Sequence, residues 1–165
     1  MVHKVKLNQL GFAILRIYIR LKDSPTMLHA DYKVDTGANC TTIGVDWLLE
    51  RGYDECWIKS GMLLTGNARP TVASGLPVED CYLITLPEIR IGNWIGYNWP
   101  MITSLSVPFK FLLGTDSLRF FNWNFDYEND ICEFALIPSK RKLLFNQNEQ
   151  SIHSMDDTEK PVNPQ

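Results

Sequence analysis

"YKVDTGANCTTIG", residues 32–44, decides how this chain is read. The segment leading into it, "MLHADYKV" at 27–34, alternates apolar and polar side chains, which predicts a half-buried β-strand. Asp35 stands at the end of that strand and is followed by Thr36, Gly37 and Ala38. A carboxylate there is either a turn-former or a reactive group held in a fixed place. Gly37 permits a tight turn, and Thr36 can hydrogen-bond locally and stiffen it. Ala38 is small enough for another backbone to approach. Such a loop tip fixes a carboxylate with little freedom, as a catalytic group requires. By itself Asp-Thr-Gly is a short pattern that a plain β-turn also explains, so the rest of the chain must decide.

Working outward, "GFAILRIYIRL" at 11–21 predicts a strand that turns at Asp23-Ser24-Pro25 into the 27–34 strand. "GVDWLLERGY" at 44–53 has the apolar spacing of a short helix closed by Gly52. Residues 62–91 alternate strand-like pieces with turn residues, and Gly92-Asn93 leads into an aromatic strand, "WIGYNWPMI". "FKFLLG" at 109–114 is a continuous apolar run of the fully buried kind, and Asp116 is placed to N-cap the short helix "SLRFF". "NWNFDYENDICEFALI" predicts a hairpin turning at Glu128-Asn129-Asp130. Many short strands, two short helices and no βαβ rhythm define an all-β domain. The domain is assigned to 1–138. Residues 139–165 are expected to form a polar tail, disordered from about 146.

The chain has 165 residues, 45% of them hydrophobic, enough for one domain with a substantial core. Its five Trp, six Tyr and eight Phe can fill that core or line a cleft or subunit interface, and Trp94, Tyr97 and Trp99 are assigned to core or interface. A net charge of −3 gives no footprint for nucleic acid or an anionic membrane, and the basic "SKRKLLF" at 139–145 is assigned to a solvated tail junction. No apolar run reaches the ~20 residues of a membrane span, and the first residues lack a signal-peptide pattern. Four scattered cysteines and three scattered histidines give no zinc spacing and point to a reducing compartment, so a cytoplasmic location is expected, without metal or cofactor. The Asn39-Cys40-Thr41 glycosylation pattern is discounted because no secretion signal is seen to bring it to the glycosylating machinery, and Cys40 has no histidine nearby in sequence to support thiolate catalysis.

"VDTGANCTTI" resembles the active-site segment of the retropepsin-like aspartic proteases. There the Asp-Thr-Gly-Ala turn is followed by Ser or Thr six residues after the Asp and an apolar residue two further on, positions held here by Thr41 and Ile43. "FLLGTDSLRFF" is similar to the family's apolar-apolar-Gly element and its helix, with Leu112, Leu113 and Gly114 implied to pack against the catalytic turn. "TVASGLPVEDCYLITLPEIRIG" is similar to the flap hairpin and the strand after it. Ala73, Ser74 and Gly75 are taken as the flap tip, with Gly66-Asn67 as the alternative. The resemblance covers residues 12–136 and implies a retropepsin-like closed β-barrel with a flap and one or two short helices. Asn39 replaces the acidic residue common after the turn in viral members, and Thr115 replaces their Arg. The viral interface ion pair is therefore not expected, and the bacterial and cellular members are the nearer match.

The aspartic mechanism needs two carboxylates sharing a proton, since like charges about 3 Å apart cannot both ionise. No second Asp-Thr-Gly occurs in the chain. The resemblance therefore implies a homodimer in which Asp35 meets its own copy, acting on peptide or protein substrates. Two alternatives stand beside this reading. One is a peptide-binding module of the same fold without turnover, which would have no need to keep the carboxylate. The other is a structural barrel in which Asp35 only forms a turn.

Overall fold

The computed structural model describes residues 1–71 and 74–140 and the backbone of 144–146. Among the described residues, regular structure comprises ten strands, three short α-helices and two 3₁₀ turns. In chain order the strands and α-helices are β1 (His3–Lys6), β2 (Ile14–Arg20), β3 (Met27–Val34), α1 (Val45–Leu49), α2 (Glu55–Lys59), β4 (Met62–Leu63), β5 (Cys81–Ile91), β6 (Trp94–Ser104), β7 (Leu112–Leu113), α3 (Thr115–Leu118), β8 (Phe121–Asp126), β9 (Ile131–Leu136) and β10 (Leu144–Asn146). The all-β expectation holds. The helices number three rather than one or two, because Asp54 accepts a 2.8 Å hydrogen bond from Trp57 N and so starts α2 after α1 has ended.

The strands build two sheets. A seven-stranded sheet runs β10-β6-β5-β2-β3-β7 with β4 paired to β5, and a three-stranded sheet runs β1-β9-β8. Period two decides which faces are buried. On β2, Leu15, Ile17 and Ile19 are buried while Arg16 and Tyr18 face out; on β3, Ala30, Tyr32 and Val34 are buried while His29 and Asp31 face out. Tyr32, Ile17, Ile19, Leu86, Ile89 and Met101 join one continuous core, into which Trp94, Phe121 and Phe134 from the two sheets also pack. The tight turn between β5 and β6 lies over the small sheet: Gly92 has φ +59°, and a Cβ there would come within 2.7 Å of the His3 ring.

Among the described residues no continuous strand ladder joins β6 to β7 to close the expected barrel. Instead, single pairs at Thr42 span the gap between β6 and β7, one to Ile102 and one to Leu112. Thr42 N donates to Leu112 O at 2.9 Å, Ile43 N to Ile102 O at 3.0 Å, and Ile102 N to Thr41 O at 2.9 Å. The residues just after the Asp35 turn are thus built into the sheet.

Two local expectations are corrected. The run at 109–114 is not fully buried: only Leu113 and Gly114 are, and Lys110 is exposed. Asp116 does not cap α3, whose N-cap is Gly114 and which begins at Thr115. Within the segment assigned to the tail, β10 pairs antiparallel with β6, Phe145 opposite Ile95. The remaining tail residues beyond 140 lie outside the described residues.

Candidate active site

Asp35 leaves β3 beside β7, and the backbone on both sides of it is tied down. Lys33 N donates to Phe111 O at 3.0 Å and Asp35 N to Leu113 O at 3.1 Å, continuing the parallel β3–β7 pairing. The turn closes on itself as Ala38 N donates to Asp35 O at 3.1 Å. Gly37 N donates to Asp35 Oδ1 at 3.0 Å, which fixes the carboxylate against its own turn. A Cβ on Gly37 would meet that same oxygen at 3.3 Å, so a larger residue crowds the group it orients. Thr36 and Gly37 are exposed, and Asp35 is partly so. The carboxylate is therefore both held and accessible.

The far side of the turn rests on the start of α3. Thr115 N donates to Ala38 O at 2.8 Å, and Asp116 N to Asn39 O at 3.3 Å. Beneath these lies a buried polar cluster around Thr41, which is fully buried. Asp116 accepts from Thr41 N at 2.9 Å, from Thr41 Oγ1 at 2.6 Å and from Ser117 N at 2.7 Å. Gly114 N donates to Thr41 Oγ1 at 3.1 Å, and Trp99 Nε1 to Ser117 Oγ at 3.1 Å. The hydroxyls of Thr41 and Ser117 lie 2.7 Å apart. With the Thr41 proton on the carboxylate, the Ser117 proton completes that contact. Asp116 is thus a strut for the loop after Asp35.

The other oxygen of Asp35 meets a cation. Lys33 Nζ lies 3.2 Å from Asp35 Oδ2 and 4.3 Å from the centroid of the Phe12 ring. Sequence reading missed this pair, although the signal was present: residues two apart on a strand share a face.

The residues expected at the flap fall on a small hairpin. Thr71 pairs with Pro77, and Val78 N donates to Pro70 O at 2.9 Å. Ser74 and Gly75 sit at its exposed turn, where Gly75 has φ +82°; Ala73 lies outside the described residues. Gly66-Asn67 belongs to a separate 3₁₀ turn, Gly66–Ala68. An Arg69–Glu79 ion pair ties the hairpin base. Among the described residues no hydrogen bond joins this hairpin to the Asp35 turn. Gly37, Ala38, Thr41, Leu112, Leu113 and Gly114, in contrast, are hydrogen-bonded into one unit around Asp35, and Thr36 lies within that turn.

All four cysteines are free, with Cys81 and Cys132 buried. Burial pushes the Cys40 thiol up, and the nearby Asp116 charge adds to the shift, the reverse of what a thiolate nucleophile needs. Among the described residues no group of three or more His, Cys, Asp or Glu could hold a metal ion, and no helix is long and apolar enough to cross a membrane.

The chain has the fold of a retropepsin-like aspartic protease from Rickettsia conorii, known from its crystal structure. The two superpose with a TM-score of 0.59 over 81% of this chain and 89% of that one, at 18% sequence identity. At that identity the likeness shows the fold. No protein-family model matches the chain, nor does any curated protein.

Proposed function

We propose that this chain is an aspartic endopeptidase that hydrolyses peptide bonds as a homodimer, with Asp35 of each copy forming the reactive pair. The observation that carries this reading is the hold on Asp35. Its backbone is anchored to Leu113, and one carboxylate oxygen is fixed by Gly37 N in an accessible turn. The retropepsin-like fold supports it. The Gly37 N to Asp35 Oδ1 bond alone is that of an ordinary Asx turn; the accessible carboxylate at this place in the retropepsin-like fold is what favours the catalytic role.

In this mechanism a twofold axis brings the two Asp35 side chains together, where they share one proton because both cannot ionise at close range. The ionised carboxylate takes a proton from a water as it attacks the scissile carbonyl carbon. The protonated one hydrogen-bonds the carbonyl oxygen and stabilises the charge that develops there. The peptide lies extended over the turn. Backbone at Gly37 and at the Ser74-Gly75 turn supplies strand-like hydrogen bonds. Thr36 and Ala38 shape the turn; Thr41, Leu112, Leu113 and Gly114 hold it. Asp116 is not the second carboxylate, since Thr41 and Ser117 occupy it.

The test is incubation with a diverse peptide mixture from acid to neutral pH, beside Asp35→Asn, with products read by mass spectrometry. Cleavage that falls by several orders of magnitude in the isosteric variant, whose fold is intact by circular dichroism, is the expected result. Near-normal turnover by Asp35→Asn would end the aspartic reading.

A further inference from the structure

We propose that Lys33 is a specificity-determining residue that selects peptides carrying a carboxylate side chain next to the bond lying over Asp35; this rests on the peptide-hydrolase reading above. Lys33 sits two residues before Asp35 on the same face of β3, with Nζ 3.2 Å from Asp35 Oδ2. Its ammonium is also held over the Phe12 ring at 4.3 Å, so the cation has a defined place beside the turn. The Lys33 and Asp35 side chains remain 36% and 26% exposed. An ion pair that open to water contributes little to stability and exchanges partners readily.

Symmetry then makes the charges unequal. A twofold dimer brings two Lys33 ammoniums to the reactive centre, while two Asp35 carboxylates sharing one proton carry a single negative charge. One cation is left over within reach of the peptide. A Glu or Asp side chain flanking the scissile bond neutralises it, whereas an amide or apolar side chain leaves it unpaired as water is displaced. The surplus cation, rather than the ion pair itself, carries the selection.

The experiment uses pairs of peptides, drawn from sequences the wild-type protein cleaves, that differ by Glu/Gln or Asp/Asn at the residues flanking the cut. kcat/KM is measured for the wild type, Lys33→Met (an unbranched side chain without the charge) and Lys33→Arg. Binding of reduced-amide, non-cleavable analogues of the same pairs is measured by calorimetry. The wild type is expected to favour the acidic member about two- to fivefold, the range of one partly solvated ion pair. Lys33→Met should bring the ratio to about one, Lys33→Arg should keep it, and the wild-type ratio should shrink in ~1 M salt. A purely structural Lys33 would alter both members of each pair equally.

Cleavage without an acidic preference, or a preference that survives Lys33→Met, overturns the inference and leaves the hydrolase reading standing. If no peptide is cut, the analogues are built instead on library peptides that the protein retains. A Lys33-dependent acidic preference among them supports the site and removes hydrolysis. Neither cleavage nor binding removes both.

Discussion

Gly114 and Cys40 meet backbone to backbone: a Cβ on Gly114 would lie 2.4 Å from both the carbonyl carbon and the carbonyl oxygen of Cys40. No side chain fits in that gap. The contact presses the apolar-apolar-Gly segment onto the loop that follows Asp35, and the Gly114 N to Thr41 Oγ1 bond crosses the same seam. Gly114→Ala should therefore force the β7–α3 junction off the turn, costing about 3 kcal/mol, the upper end of overpacking effects. Chemical denaturation measures this directly. A change below about 0.5 kcal/mol would mean that the seam opens without cost.

Thr41 gives a second, more graded test. Thr41→Val preserves shape but removes the hydroxyl that bonds Asp116 and accepts from Gly114 N, leaving buried polar groups short of partners. The loss should be about 1–3 kcal/mol. Thr41→Ser retains the oxygen and should recover most of it. If valine and serine variants unfold at the same denaturant concentration, the hydroxyl bonds contribute nothing.

These two sites show what was legible in the sequence. Thr41, Leu112, Leu113 and Gly114 stand out in the sequence only through the resemblance to retropepsin-like proteases, while Asp35 also stands out at the end of a strand of period two. The role of Asp116 was not legible, since its carboxylate turns back to Thr41, a partner remote in sequence. Closure through Thr42 is invisible for the same reason: it depends on single pairs with Ile102 and Leu112 rather than on any run of strand residues. β1 was missed because "HKVK" is a polar edge strand, with His3 and Val5 only half buried. Lys33 carries no motif of its own, and its pairing with Asp35 follows only once both are placed on one face of β3.

Glu88 gives the protein a pH dependence whose sign follows from its surroundings. Its side chain, 9% exposed, receives Arg20 Nε and Arg90 Nε, each at 2.7 Å. Burial pushes its carboxyl up, but the two guanidinium bonds outweigh burial and hold it below the ordinary value of 4.5. The unfolded chain therefore binds this proton more readily. The stabilisation is fully present above the unfolded value and is lost as pH falls through the lower folded one. Both arginines are about a third exposed, so Glu88→Gln should cost about 1–2 kcal/mol at neutral pH. That difference should narrow in acid. Unfolding free energies for both proteins between pH 7 and 3 measure it, and a gap that stays constant would show that the charge of Glu88 is not what stabilises the fold.

A homodimeric reactive pair makes activity depend on who meets whom. In the proposed homodimer each subunit would supply one Asp35, so dilution below the dimerisation constant should lower specific activity, and concentration should restore it. Asp35→Asn protein still presents the turn and its Leu113 anchor, so it should exchange into dimers with wild-type chains. Such a heterodimer holds one carboxylate facing an amide that cannot share its proton. With free exchange and a threefold excess of variant, roughly a quarter of the wild-type chains remain in wild-type pairs, and activity should fall to about that fraction. Activity strictly proportional to wild-type chain at every dilution, with no inhibition by added variant, would require a self-sufficient monomer. The second acidic group would then have to come from the same chain, and Asp116 could serve only by giving up Thr41 and Ser117. Thr41→Val would separate those cases: in a monomer that used Asp116 it would free the carboxylate and change the pH profile of cleavage. In the homodimer it should lower stability and leave that profile where it was.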